Sequence, residues 1–215
     1  MDGTITAITV QERNPERVNV YLNGQYAFSL DAVMAARLRP GQSLSADDVS
    51  QLQTQDNISK AYERAVRYLG TRPRSVAEVR RKLCDKGIAP SIIEIVIHRL
   101  EEMGYVDDEA FARFWVQNRG EYSPRGQAAL RYELRQKGID DEIIDTVLDD
   151  FDATDAALRA ARQKARTLRN IRDKHIFKQK LGSYLARRGF SYDVVQPVVN
   201  LLIEEREVEN DTFEE

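Results

Sequence analysis

An internal repeat with a period of 51 residues constrains the fold of this chain more than any other feature of its sequence. Six apolar positions and one glycine recur twice, and no gap is needed in either step. The three sets are Leu83, Gly87, Ile88, Ile92, Ile93, Val96 and Ile97; Leu134, Gly138, Ile139, Ile143, Ile144, Val147 and Leu148; and Leu185, Gly189, Phe190, Val194, Val195, Val198 and Val199. A fixed period indicates stacked copies of one supersecondary unit. Because stacked helical units usually present an extended surface to another macromolecule, the period favours a binding protein.

Each repeat is predicted to contain three helices, of which the last two form a hairpin. In the first repeat the first helix covers residues 58–69. Ser75 begins the second helix in a capping box with Glu78, and Gly87 ends it. Pro90 lies near the start of the third helix, whose apolar residues follow the i, i+1, i+4, i+5, i+8 spacing of a core-facing stripe.

The junction between the first and second repeats is predicted to be a helix end followed by a helix start. Gly104 can adopt the left-handed conformation that ends a helix. Asp107 or Asp108 can cap the next helix, and Glu109 suits its first turn. Three neighbouring acidic residues could also suggest a metal site, but no histidines cluster with them, so capping is the favoured interpretation.

The segment 1–57 has a different pattern, in which short β-branched runs predominate. Strands are predicted over residues 5–10, 18–22 and 26–30. Asn23-Gly24 is a strong signal for a two-residue hairpin turn. A short helix over residues 31–38 and a helix capped by Ser45 are expected to cover one face of the strands.

We therefore predict a mostly α fold with three tandem three-helix repeats, each helix-turn-helix-like, that form an elongated curved body behind a small β-hairpin or meander module. The predicted boundaries are 1–57 for the strand-containing module, 58–107, 108–151 and 152–205 for the repeats, and 206–215 for an acidic tail.

Composition indicates a protein of the cytoplasm. The 215 residues are 42% hydrophobic and 31% charged. No apolar run is long enough to span a bilayer. No signal peptide is visible at the start of the chain, and a single cysteine excludes an intramolecular disulfide. Cys84 follows the core position Leu83, so we expect a partly buried structural thiol. The sequence has no exposed heptad seam that would indicate an obligate oligomer, so a monomer is expected.

The overall charge of -3 conceals strong segregation along the chain. Residues 152–203 carry 11 basic and 4 acidic side chains, whereas residues 204–215 carry 1 and 7. A basic module followed directly by an acidic tail suggests contact with a polyanion or with an acidic protein surface.

The first helix of the third repeat carries a stripe of arginines. Its apolar residues follow core spacing, at Leu158, Ala161, Ala165 and Leu168. The arginines follow the same spacing one residue later, at Arg159, Arg162, Arg166 and Arg169, over about 16 Å of helix. Like charges at this spacing weaken a helix, and Asp155 can offset only one end of the row. We predict that the stripe meets a partner; the alternative is an ordinary solvated face.

Two further basic clusters are candidates for contact with DNA phosphates or with an acidic partner. One surrounds the next helix and comprises Lys174, Lys178, Lys180, Arg187 and Arg188. The other, in the first repeat, comprises Arg72, Arg74, Arg80 and Arg81. Its hairpin resembles a helix-turn-helix, but its third helix has few side chains that could read bases, so sequence-specific readout is not expected.

In order and spacing, residues along nearly the whole chain resemble the RecX family, regulators of the bacterial recombinase RecA. The resemblance rests on Ala61-Tyr62, Tyr68-Leu69, Arg72, Arg74-Ser75, Glu78, Leu83, Lys86-Gly87-Ile88, Gly104-Tyr105-Val106-Asp107-Asp108, Phe111-Ala112, Arg119, Arg125-Gly126, Glu133-Leu134 and Lys137-Gly138-Ile139. The strand-rich start resembles the N-terminal extension of longer members. The third repeat departs from the pattern with Arg188-Gly189-Phe190, as does the acidic tail.

The resemblance implies a non-enzymatic regulator that binds along the RecA–single-stranded DNA filament and restrains its ATPase, strand-exchange and coprotease activities in DNA repair, recombination and the SOS response. It supplies no catalytic residue, metal or cofactor. The residues themselves also lack a phosphate-binding glycine loop, a Cys-x-x-Cys pair and a His-Glu-x-x-His helix, so neither an enzyme nor a metal site is predicted. The alternative function is a helical-repeat protein that binds nucleic acid independently of RecA.

Overall fold

The computed structural model describes residues 2–212 and the side chains as far as Val208. Its residues group into two compact units. The first consists of the residues up to 72 together with 79–105, and the second consists of 73–78 together with the residues from 106 onward. The predicted mostly helical fold with a small antiparallel strand module is confirmed.

The first unit begins with a four-stranded antiparallel sheet. Its strands are β1 (Gly3–Gln11), β2 (Asn14–Leu22), β3 (Gln25–Asp31) and β4 (Ser43–Leu44), in the spatial order β3-β2-β1-β4. The predicted meander is confirmed, and its second turn is formed by Asn23 and Gly24, which both have positive φ as a two-residue hairpin turn requires. The sequence did not indicate β4, a two-residue strand that pairs with the start of β1.

The described residues form ten helices. In chain order they are α1 (Ala32–Ala35), α2 (Ala46–Leu69), α3 (Val76–Cys84), α4 (Pro90–Glu102), α5 (Asp108–Tyr122), α6 (Gln127–Gln136), α7 (Asp141–Asp149), α8 (Ala153–Thr167), α9 (Lys174–Arg187) and α10 (Tyr192–Thr212). Helix α2 is continuous across the expected boundary at residue 57, since no glycine or proline interrupts it. Helix α10 continues into the predicted acidic tail, of which residues 213–215 lie outside the described part of the chain.

Local capping follows the sequence signals closely. Ser45 and Asp48 form a reciprocal capping box at the start of α2. Before α3, the backbone N–H of Glu78 donates to Ser75 Oγ at 3.2 Å. The Asp107 carboxylate caps α5 by accepting from the N–H of Ala110 at 2.9 Å. These contacts satisfy N–H groups that the first helical turn leaves without a partner.

The period of the repeat corresponds to one core packing used three times. The leucines at equivalent positions, Leu83, Leu134 and Leu185, are buried. Three positions of the helix that follows each of them are also buried: Ile93, Val96 and Ile97; Ile144, Val147 and Leu148; and Val195, Val198 and Val199. Between these two helices, Gly87, Gly138 and Gly189 have φ values of 73°, 77° and 85°. Cys84, which was expected to be partly buried, is exposed, because it lies on the side of α3 away from Leu83.

The second unit contains one contact twice, again at the period of the repeat. Ser75 Oγ donates to the carbonyl of Lys137 at 2.6 Å, and the N–H of Gly126 donates to the carbonyl of Arg188 at 2.9 Å. The two partners are 62 residues apart in each pair, and the second pair lies one repeat period further along the chain. A Cβ atom at Gly126 would lie 2.1 Å from the carbonyl oxygen of Gly189, so this contact requires glycine. Neighbouring repeats are therefore joined by equivalent hydrogen bonds, just as equivalent residues form their cores.

Candidate functional site

Helix α8 separates an alanine face from an arginine face. Ala156, Ala157, Ala160 and Ala161 are fully buried in the core that α8 forms with α9 and α10. At about 100° per residue, Arg159, Arg162 and Arg166 lie on the opposite face of the helix. The core face is therefore centred on the alanines, and Leu158 and Ala165 of the expected apolar stripe are only half-buried. Alanine favours the helix and allows close packing, so the arginines are not needed to form α8.

Two of these arginines have partners within the second unit. Arg159 Nη2 lies 2.7 Å from the Asp155 carboxylate, which is the pairing that the sequence indicated. Arg162 Nη2 lies 2.9 Å from the carboxylate of Glu205 on α10. For Arg166, no ion pair forms with any side chain between residues 2 and 208.

A cavity of about 460 Å³ between α8 and α10 brings most of the arginines together. It is lined by Arg162, Ala165, Arg166, Arg169, Phe177, Leu202, Glu205 and Arg206. Arg169 lies in the loop after α8, which ends two residues earlier, at Thr167. We call Arg162, Arg166, Arg169 and Arg206 the arginine surface; Arg159 is outside the cavity.

Arg206 is a member of this surface that sequence reasoning did not select. Its guanidinium donates to the carbonyls of Arg169 and Ile171 and lies 4.8 Å from the centre of the Phe177 ring. A cation over an aromatic face is stabilised, so the position of Arg206 is well defined. The only available signal was that Arg206 is the single basic residue among residues 204–215.

The residues of the second basic cluster lie on different sides of helix α9. Phe177, Leu181 and Leu185 form the buried side of α9, so Lys178 lies on one flank of the helix and Lys180 and Arg187 lie on the other. Lys174 is the first residue of α9. Lys174 Nζ is 2.6 Å from the carboxylate of Glu207.

Arg188, the fifth residue of that cluster, is half-buried and interacts with its own chain. It donates to the carbonyl of Pro124 at 2.9 Å and lies 4.7 Å from the centre of the Tyr184 ring. Its guanidinium contributes to the junction between the second and third repeats, and we do not assign it to the arginine surface.

The candidates in the first repeat lie in two places along the chain. Arg72 and Arg74 flank Pro73 in the turn before α3, and Arg80 and Arg81 lie on α3 itself. Arg80 forms an ion pair with Glu94 of α4.

The second repeat contains a cluster of basic side chains that are already paired with carboxylates and with an aromatic ring of the same chain. Arg119 Nε and Trp115 Nε1 both donate to Glu133, at 2.7 and 2.9 Å. Lys137 Nζ donates to Glu78 at 2.9 Å. The charged ends of Arg119 and Lys137 lie 4.6 and 4.8 Å from the centre of the Trp115 ring. Because these groups satisfy one another, the cluster stabilises the fold and leaves little charge for a partner.

The chemistry available in this arrangement is the binding of anions. Among the described side chains, no three His, Cys, Asp or Glu residues lie close enough together to hold a metal ion. No helix within residues 2–212 has both the length and the apolar character that crossing a membrane requires. Arginine guanidiniums carry a permanent charge and suit phosphate or carboxylate groups.

Comparison with protein-family models matches four consecutive segments of the chain. Residues 3–45 match the regulatory protein RecX N-terminal domain, and residues 61–100, 107–148 and 152–199 match the first, second and third RecX three-helix domains.

Relatives and solved structures agree with these matches. Regulatory protein RecX of Bacillus licheniformis is 37% identical over 212 residues, which cover 96% of this chain and 79% of that protein. Regulatory protein RecX of Bacillus subtilis is 35% identical over 213 residues, 96% of this chain and 78% of that protein. A crystal structure of regulatory protein RecX superposes with a TM-score of 0.73 at 28% identity, covering 92% of this chain and 98% of the other. A crystal structure of RecX from Lactobacillus salivarius superposes with a TM-score of 0.62 at 26% identity, covering 69% of this chain and 97% of the other.

Proposed function

The chain belongs to the RecX family of regulatory proteins, and we propose that it binds the filament of RecA on single-stranded DNA and restrains its activity. The protein is then a regulator that works by reversible binding in the cytoplasm. Its relatives are named regulatory proteins, which supports a role without catalysis. The ATPase, strand-exchange and coprotease activities are the ones that its binding would lower.

The observation that carries this proposal is the arginine surface of the third repeat. Residues 152–203 have a net charge of +7, and the arginines of α8 lie opposite its packed face. A DNA-containing filament is a dense polyanion, and neutralising its phosphates releases counterions. Arginines on a helix face that does not pack against the core are suited to such a partner.

Tandem repeats supply the second element of the proposal. The second and third repeats share a core pattern and a junction contact, so the chain consists of equivalent modules that are joined in the same way. When linked modules engage neighbouring sites of one polymer, each further contact occurs at a high effective concentration. Several weak contacts can then hold a filament that consists of identical subunits.

The direct test is to titrate the purified protein into RecA assembled on single-stranded DNA and to follow ATP hydrolysis. The proposal predicts inhibition at well below one molecule per RecA subunit, with much weaker binding to the same DNA alone at the same salt concentration. Unchanged ATP hydrolysis together with tight binding to bare DNA would contradict it. That result would instead indicate a protein that binds nucleic acid independently of RecA.

The cavity makes the alternative less favourable than the filament proposal. Proteins that hold bare single strands tightly usually stack bases on exposed aromatic rings. Phe177, the aromatic residue of the cavity lining, is 3% exposed and lies beneath Arg206. Contacts there are limited to charge, so binding to bare strands should be weak and strongly dependent on salt.

A further inference from the structure

The cavity between α8 and α10 contains an excess of fixed positive charge around a single carboxylate. Arg162, Arg166, Arg169 and Arg206 line it, and among the side chains described up to Val208, Glu205 is the only acidic residue of the lining. The one ion pair of Glu205 with a described side chain joins it to Arg162 at 2.9 Å, and the Glu205 side chain is 41% exposed. The arginines of the lining therefore carry enough positive charge to bind further anionic groups besides the Glu205 carboxylate.

The acidic end of α10 is not explained by the stability of that helix. Carboxylates are unfavourable near a helix C-terminus, because the helix dipole is negative there. Even so, α10 has no basic residue in its last turn. Two of its described acidic side chains instead reach basic residues of other elements, in the pairs Glu205–Arg162 and Glu207–Lys174. Both pairs place a carboxylate on a group that is also available to an external anion.

The spacing of the arginines favours a polymer with regularly spaced charges. Along the axis of α8, Arg162 and Arg166 are separated by about 6 Å, from a rise of about 1.5 Å per residue. Arg169 follows at the end of the helix, and Arg206 is fixed beside it by its bond to the Arg169 carbonyl. A nucleic-acid strand carries one phosphate per nucleotide, so it presents a row of anionic groups in which neighbouring phosphates can meet neighbouring guanidiniums. An isolated carboxylate of a protein partner would neutralise only one of them.

We propose that this cavity binds consecutive phosphates of a single-stranded nucleic acid, and that in the free protein the Glu205 carboxylate occupies the place of one phosphate at Arg162. Binding of the strand exchanges Glu205 for a phosphate at Arg162, while Arg166, Arg169 and Arg206 take neighbouring phosphates. Glu205 thus lowers the affinity for bare strands. The inference deepens the proposed function by naming the chemical group bound, and its binding measurements need no RecA.

The test measures the affinity of the full chain for fluorescently labelled oligo-dT by anisotropy, over a range of salt concentrations. Arg166→Gln removes one phosphate contact, so the slope of log K against log salt should become shallower by about 0.7. Arg135→Gln is the control, because Arg135 is 55% exposed, like Arg162, but is fully engaged by Asp141 at 2.7 Å. That variant removes the same formal charge and should leave the slope nearly unchanged.

The second arm tests the role of Glu205 as an internal competitor. Glu205→Gln frees Arg162, so binding should tighten, whereas the slope should stay nearly the same because Arg162 meets a phosphate in both complexes. Glu204→Gln changes the net charge equally, but Glu204 forms no ion pair with the side chains described up to residue 208, and it should have a much smaller effect. In an Arg162→Gln background, Glu205→Gln should no longer tighten binding.

Three outcomes would overturn the inference. Equal effects of Glu205→Gln and Glu204→Gln would mean that net charge alone controls binding. Equal effects of Arg166→Gln and Arg135→Gln would mean that the cavity does not contact the strand. If Arg166→Gln weakened inhibition of the RecA ATPase and left oligo-dT binding intact, the cavity would contact protein, and the proposed function would survive without this inference.

Discussion

The sheet module and the third repeat each set a carboxylate against an arginine, with opposite consequences. The Asp56 side chain is 3% exposed and accepts from both Nη atoms of Arg17 at 3.0 Å, from the N–H of Asp31 and from Lys60. The Glu205 side chain is 41% exposed, and the one partner found for it among the described side chains is Arg162. Asp56 satisfies several donors inside the fold, whereas Glu205 satisfies one donor in contact with water.

This difference determines which charges remain available to a partner. A buried and saturated carboxylate cannot leave without exposing its donors to a desolvation penalty. An exposed ion pair contributes little to stability, because water and salt compete for both groups. A competing anion can therefore displace Glu205 at a small cost, while Asp56 holds β2, the start of α1 and α2 together.

The largest effect is expected for Asp56→Asn. The substitution removes the negative charge and leaves the largely buried Arg17 without its counter-ion. Because removal of one partner of a buried ion pair typically costs about 3–5 kcal/mol, we expect a loss of about 3 kcal/mol. The measurement is urea unfolding by circular dichroism, with amide exchange of β2 and β3 to locate the loss.

The control for this prediction is Glu63→Gln. Glu63 lies on the same helix as Asp56, in an exposed pair with Arg67. Because exposed ion pairs contribute little, this variant should cost less than about 0.5 kcal/mol. Equal costs for the two variants would remove the distinction between the buried and the exposed carboxylate.

The pH dependence of the sheet module should come from the same carboxylate. Burial alone would raise the pKa of Asp56, but hydrogen bonds from Arg17, Lys60 and the Asp31 N–H together outweigh it and hold the pKa below its ordinary value of 3.8. The carboxylate therefore contributes its full stability above pH of about 4, and that contribution is lost as pH falls through the lowered pKa. Amide exchange of β2 across the acid range, from about pH 5 to about pH 2, should show this loss, and Asp56→Asn should lack that part of it.

Glu133 in the second repeat provides an intermediate case. Its side chain is 21% exposed and accepts from Arg119 and Trp115, with Arg125 Nε at 3.7 Å. We expect Glu133→Gln to cost about 1–2 kcal/mol, because a charge-assisted network is broken in a half-buried site. Since Trp115 is the only tryptophan, its fluorescence reports the change directly. Glu121→Gln, whose partner is the exposed Gln117, is the control and should leave both stability and emission unchanged.

The features that were predicted correctly depend on signals within short stretches of sequence. The period of apolar residues and glycines identifies the repeats, since the positions that pack in each copy recur at fixed intervals along the chain. Capping residues such as Ser75 and Asp107 act within three residues of their partners. By contrast, β4 is only two residues long and pairs with a segment 39 or more residues away, so no local pattern marks it.

The candidate site shows the same limit. Sequence spacing places three arginines on one face of α8, but it does not reveal their partners. The Glu205–Arg162 pair spans 43 residues, and the bond from Arg206 to the Arg169 carbonyl spans 37. Arg188 belongs to a basic run in the sequence, yet it is directed to Pro124, 64 residues earlier. Charge composition identifies the region, whereas the direction of each guanidinium depends on tertiary packing.

The smallest effect on stability is expected for Glu205→Gln, and it is the most informative point of the comparison. An exposed ion pair is worth about 0–1 kcal/mol, and Glu205 lies about two turns before the end of α10, where the helix dipole has little effect. We expect the unfolding free energy from urea titration to change by less than about 0.5 kcal/mol. If Glu205→Gln instead cost as much as Asp56→Asn, the carboxylate would hold α8 and α10 together. Its displacement by a phosphate would then be too unfavourable for binding, and the arginine surface would serve the fold.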